Sequence, residues 1–188
     1  EGVYALRNAL KIGNYSPESL SKIRGIAYRD KNEIIMNDPE KIVPNNKMDT
    51  DLPGYAWDLL PYKSKPLDLY RAPMWHAEYD FEKRTPYASL QTSLGCQFGC
   101  NFCMINILNR NDNEEVGVAS NYSGMRFWTT EFIIKEFDKL IDMGVKTIRI
   151  VDEMFLLNPK YYIPLCKELA ERNKDDSLRI WSYSRRDT

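Results

Sequence analysis

Apolar residues recur at two different periods along this chain. In TEFIIKEFDKLIDMG, residues 130–144, Ile133, Ile134, Phe137, Leu140 and Ile141 form a stripe at helical spacing. Lys135, Glu136, Asp138 and Lys139 fall elsewhere on the surface. The pattern predicts a helix that Thr130 caps at its start and Gly144 at its end. NPKYYIPLCKELAERN, residues 158–173, repeats the pattern through Tyr162, Leu165, Cys166 and Leu169. Asn158 supplies a cap and Pro159 the first turn, and Pro164 falls in the early turns or makes a kink. Three short runs have the other period. YASLQTSL (87–94), VKTIRIVD (145–152) and LRIWSYS (178–184) read as strands.

Residues 87–188 thus alternate strand, long connection, helix, strand, helix, strand. That order predicts an α/β domain with a parallel sheet and right-handed crossovers. Ligands of such sheets bind where the strands end. Here the first strand ends at a cysteine loop, the second at Asp152 and Glu153, and the third at Ser184 and Arg185. Three polar clusters are expected on one rim.

The first third has a different texture. EGVYALRNALK reads as a short helix, and IRGIAYRDKNEIIMN as a hairpin, Ile23–Arg29 against Glu33–Asn37 around Asp30-Lys31-Asn32. Six of the ten prolines then fall at 39, 44, 53, 61, 66 and 73, which predicts a mostly extended connector. Trp57, Leu59, Leu60, Tyr70 and Trp75 are expected to pin it to a surface.

Composition narrows the function classes. The chain has 188 residues, 28% of them charged and 43% hydrophobic, with a net charge of −1. This composition is globular and gives no sign of a nucleic-acid partner. No apolar run is long enough for a membrane span and no signal peptide is visible, so a cytoplasmic location is expected.

Three of the four cysteines lie within GCQFGCNFC, spaced Cys96-x3-Cys100-x2-Cys103. Such crowding suits metal or redox chemistry better than a disulfide framework. A structural zinc site takes four protein ligands. The single histidine, His76, lies far upstream and reads as surface, and Cys166 lies on a helix stripe and reads as a buried structural thiol. Three thiolates without a fourth ligand point to a cluster with one open iron.

The spacing, with aromatic Phe102 before the last cysteine and the loop placed after a strand, resembles the signature of the radical S-adenosylmethionine (radical SAM) enzymes. PYASLQTSLGCQFGCNFC and MRFWTTEFIIKEFDKLIDMGVKTIRIVDEMF are similar to the subgroup that carries a cobalamin-binding domain. The hairpin and linker resemble the segment leaving that domain, although its histidine-bearing cobalamin motif is absent. The resemblance implies a partial (β/α) barrel: residues 1–38 the tail of a preceding cobalamin-binding-like domain, 39–85 a proline-rich linker, and 86–188 the first part of the radical SAM core. It further implies that the chain is part of a longer enzyme.

By the same resemblance, Cys96, Cys100 and Cys103 hold a four-iron four-sulfur cluster, and S-adenosylmethionine chelates its open iron. Reductive cleavage would start methyl transfer, cyclisation or rearrangement on a small-molecule substrate, with flavodoxin or ferredoxin as electron donor and possible cobalamin use. Phe102 is expected near the adenine, against a reading as mere packing. At least one of Asp152 and Glu153, with Glu153 favoured, is expected to receive the cofactor's amino group. Ser184 and Arg185 are assigned its carboxylate or ribose, against an ion pair of Arg185 with Asp187. Arg126 reads as solvated or structural, and the connection 104–128 as a substrate-facing lid or a solvated loop. No catalytic residue is assigned. The different-class alternative is a non-enzymatic iron–sulfur or zinc-binding module.

Overall fold

The structure, a computed structural model, describes residues 2–64, 86–98, 100, 102, 103 and 125–185. The chain divides into two compact units, one of Glu1–Pro53 with Gly99–Ser123 and the other of Gly54–Phe98 with Gly124–Thr188.

The first unit contains helix α1 (Val3–Ile12), a short α2 (Pro17–Leu20), strands β1 (Ala27–Asp30) and β2 (Glu33–Met36), and a one-turn α3 (Met48–Asp51). β1 and β2 pair antiparallel from Ala27↔Met36 to Asp30↔Glu33, so the predicted hairpin forms, but its first strand starts at Ala27 and not at Ile23, where the chain turns instead. The hairpin turn is Lys31-Asn32, with Lys31 at φ 51°. Among the described residues, Ala5, Ile23, Val43 and Met48 are the buried apolar side chains of this unit. Polar ties supplement so small a core. Tyr4 Oη donates to Asp51 Oδ2 at 2.6 Å, and Asn37 Nδ2 donates to the Leu20 and Ile23 carbonyls at 2.8 and 2.6 Å.

The proline-rich connector is less extended than its composition predicts. A 3-10 turn at Asn45–Lys47 leads into α3, and another covers Trp57–Leu59. Pro44, Pro53 and Pro61 flank these turns, where a missing N–H does no harm. Leu59 is 80% exposed and pins nothing. Tyr70, Trp75 and His76 lie outside the described residues.

The second unit is a mixed α/β unit around a three-stranded parallel sheet. The strands β3 (Tyr87–Leu90), β6 (Thr147–Ile150) and β7 (Arg179–Ser182) lie in that order, with Ser89, Arg149 and Trp181 in register. Helix α4 (Thr130–Asp142) joins β3 to β6, and α5 (Pro159–Arg172) joins β6 to β7. Both predicted helices form. Thr129, one residue earlier than expected, caps α4 by accepting from Phe132 N at 3.2 Å. Gly144, at φ 82°, ends it in a conformation that a side chain disfavours. Asn158 caps α5 and Pro159 occupies its first turn, as predicted. Pro164 stays inside the helix. It removes the donor only for the Lys160 carbonyl, in a solvent-exposed first turn.

Ala88, Leu90, Ile148 and Ile150 make one face of the sheet and are buried. With Ile133, Phe137 and Leu140 of α4 and Leu165 and Leu169 of α5, they form the core of this unit. Full burial of each aliphatic side chain contributes about 1.5–3 kcal/mol. Cys166 is exposed, which corrects its reading as a buried thiol. Leu165 and Leu169, one turn apart, carry the stripe alone, and Cys166 sits one position round the helix from it. Glu136 corrects the pattern the other way, for it is 2% exposed. Lys139 Nζ donates to it at 2.5 Å and the Tyr55 amide at 3.4 Å. A side chain on Gly54 would meet that carboxylate at 2.8 Å, so the connector lies directly over it.

Residues 87–94 are not one strand. β3 stops at Leu90, and a separate β4 (Ser93–Leu94) pairs antiparallel with β5 (Arg126–Phe127). The break at Gln91-Thr92 builds the candidate site.

Candidate functional site at the strand ends

Alternation along a strand sends successive side chains to opposite faces. Ile148 and Ile150 point into the core, and Asp152 continues their parity beyond the end of β6. Its carboxylate is 1% exposed and fully engaged. Oδ1 accepts from the Thr92 amide at 2.6 Å. Oδ2 accepts from Thr92 Oγ1 at 2.6 Å and Ser93 Oγ at 2.7 Å. Burial pushes its pKa up and these hydrogen bonds hold it down. On α5, Tyr161 Oη donates to the Thr92 carbonyl at 2.8 Å. Asp152 therefore ties the end of β6 to the kink that redirects the chain from β3 into β4.

That kink sets where the cysteine loop starts. β4 is followed at once by Gly95, at φ 89°, and then by the buried Cys96. Pairing of Leu94 with Arg126 and Ser93 with Phe127 clamps the base of the long connection from Gly95 to β5. Arg126 is 6% exposed, so its solvated reading is set aside in favour of a structural one.

Glu153 has the opposite parity and a different environment. It is half-buried, and the nearby backbone N–H groups of Glu153 itself and of Gly95 favour its charged form. Its Oε2 is buried with no hydrogen-bond partner. Burial raises its pKa, the Asp152 charge adds to the rise, and Gly95 and Arg126 oppose it. A carboxylate oxygen desolvated without a donor costs about 1–3 kcal/mol, a penalty that a bound donor would relieve. Glu153 thus carries an unmet demand for a donor beside the residue that precedes Cys96.

The other predicted residues are placed as follows. Cys100 and Cys103 are half-buried, and a backbone hydrogen bond of 3.0 Å runs from Cys103 N to the Cys100 carbonyl. Among the described residues, no three His, Cys, Asp or Glu side chains form a group that could hold a metal ion. Phe102 is 92% exposed and packs in no core. Ser184 Oγ donates to the Arg185 carbonyl at 3.2 Å. The Arg185 guanidinium lies 4.2 Å from the centroid of Phe98, a residue of the cysteine loop, while Asp187 lies outside the described residues. Arg185 at the end of β7 therefore touches the loop that follows β4.

No family model matches the chain, and no solved structure matches it. Among curated proteins, 168 residues are 26% identical to an uncharacterized methyltransferase of Pyrococcus horikoshii. The match covers 89% of this chain and 29% of that relative, so the chain spans less than a third of the relative's length. Among the described residues, no helix is long and apolar enough to cross a membrane.

The sequence reading missed the division of labour between Asp152 and Glu153. The signal was present, because Asp152 shares the even parity of Ile148 and Ile150. It also missed Thr92 and Ser93, two small hydroxyl residues inside an apolar run, whose role needs a partner some sixty residues away (|i−j| of 60 and 59).

Proposed function

We propose that residues 86–188 belong to the catalytic domain of a radical SAM enzyme, acting in methyl transfer, with Glu153 receiving the amino group of S-adenosylmethionine. The observation that carries the reading is the buried, partnerless Oε2 of Glu153 just past the C-terminal end of the central strand, with the Gly95 backbone close enough to influence its charge. A protonated amine is the donor such a group lacks, and a charged hydrogen bond there is worth about 1.5–3 kcal/mol. The α/β order, with polar residues at the strand ends, and the likeness to a Pyrococcus methyltransferase support the same reading.

The donor chemistry fits the implied groups. Three closely spaced thiols suit iron and sulfide. Cys96, Cys100 and Cys103 would hold the cluster, which when bound supplies the electron that cleaves S-adenosylmethionine. Asp152 acts only as a positioning residue: it fixes Thr92 and Ser93 and so the start of the loop. Arg185, stacked on Phe98, steadies the loop from β7.

Anaerobic reconstitution with iron and sulfide tests the reading. The expected result is a cluster whose iron content collapses in C96A, C100A or C103A and persists in C166A. With a reductant and S-adenosylmethionine, the parent protein that contains this chain should release 5′-deoxyadenosine. A stable zinc site at these thiols, with no cluster formed under iron and sulfide, would replace this reading with a structural zinc module.

A further inference from the structure

The core-facing side of the parallel sheet is aliphatic, and its second face is not. The in-register rows on the second face are Tyr87, Thr147 and Arg179, then Ser89, Arg149 and Trp181. Every one of these side chains can donate a hydrogen bond, two carry a positive charge, and none is a carboxylate. A face built to hold an apolar molecule would carry aliphatic side chains, and one built for a cation would carry Asp or Glu.

Arg149 is at the centre of this set. It lies on the middle strand, half-buried, between Ser89 on one side and Trp181 on the other. Its guanidinium is 5.0 Å from the centroid of the Tyr183 ring and donates from Nη2 to Tyr183 Oη. Tyr183 follows β7 immediately, so the contact draws the guanidinium toward the strand ends. Glu153 lies four residues further along the chain, past the end of β6 at Ile150. Partial desolvation strengthens the pull of a guanidinium on an anion, and its planar fork matches two oxygens at once.

We infer that Arg149, oriented by Tyr183 and flanked by Ser89 and Trp181, is an oxyanion-binding site that takes a carboxylate or phosphate group of the substrate. The inference rests on the proposed function only for the identity of the molecule that carries the anion. The methionine carboxylate of S-adenosylmethionine is a poor occupant. It sits on the same carbon as the amino group assigned to Glu153, and the two protein groups are four residues apart in the chain, one on β6 and the other past its end.

Calorimetric titration of the full chain with inorganic phosphate and, separately, with succinate tests the site without cluster or S-adenosylmethionine. Failure here is therefore distinct from failure of the proposed function. At least one probe should bind saturably, and the better probe tells phosphate from carboxylate. R149Q should weaken that binding at least about tenfold, the loss of a bidentate charged contact. R149K, which keeps the charge and loses the fork, should fall between R149Q and wild type. R179Q, on the same face but exposed near the start of β7, should change it less than about threefold. Should R149Q fail to unfold cooperatively, the R149K value decides, and wild-type affinity in R149K overturns the inference. So does the absence of saturable binding by either probe, or an equal loss in R149Q and R179Q. A parallel fall in S-adenosylmethionine affinity in R149Q would also overturn it, by assigning Arg149 to the cofactor.

Discussion

Ile148 and Ile150 are buried on one side of β6, while Arg149 between them meets Tyr183 on the other. The same alternation governs the next two side chains. Asp152 falls on the core side and has every oxygen occupied; Glu153 falls on the far side and keeps one buried oxygen without a partner. Two adjacent carboxylates of nearly identical chemistry thus do different jobs. One is spent on structure, and the other is held short of a donor. What separates them is parity on a strand, which fixes the environment and through it the hydrogen bonding.

The largest effect should come from breaking the structural side. D152A removes the acceptor for three donors at once, the Thr92 amide and two hydroxyls, and leaves them buried. A destabilisation of about 3–5 kcal/mol is expected in denaturant unfolding. Loss below about 1 kcal/mol would mean that Thr92 and Ser93 find other partners. On the same side, I148A should cost about 2–5 kcal/mol through the cavity it opens. R149Q, on the second face, should cost under about 1 kcal/mol. Reversal of that order would show that the faces have been assigned wrongly.

Glu153 should respond in the opposite direction. Its folded-state pKa lies above the ordinary carboxylate value, so the folded protein favours the protonated form. Its contribution to stability is therefore full below the ordinary pKa and declines as pH rises through the folded value. E153Q removes that decline. The variant should unfold about 2–4 °C higher than wild type at pH 7, and the gain should vanish near pH 4. A stabilised variant with impaired ligand binding is what a residue kept for function rather than for the fold produces. The smallest effect is at Cys166. C166A should lie within about 0.5 kcal/mol of wild type, because the thiol is exposed.

Both helices, their ends to within one residue, the β1–β2 hairpin and the order of the three parallel strands were legible from periodicity, proline, glycine and cap residues alone. Those features are local, with signals inside a window of a few residues. The departures came from distant chain segments. Glu136 lies off the apolar stripe of α4, but a Gly54-Tyr55 segment some eighty residues away in sequence (|i−j| of 81) covers it. The apolar run at 87–94 breaks because Asp152 and β5 take hold of Thr92, Ser93 and Leu94. At the site, the strand-end location of Asp152 and Glu153 was readable, and so was the thiol spacing. The difference between the two carboxylates required knowing which face of the strand was covered.

Equilibrium binding of S-adenosylmethionine to the anaerobically reconstituted protein, comparing wild type, E153Q and D152N at matched iron content, tests the central claim most directly. The account predicts at least about a tenfold loss of affinity in E153Q, from one charged hydrogen bond, and little change in D152N, whose amide can still accept from the Thr92 N–H and donate to the hydroxyls. Equal affinity in wild type and E153Q, or a loss confined to D152N, would contradict it.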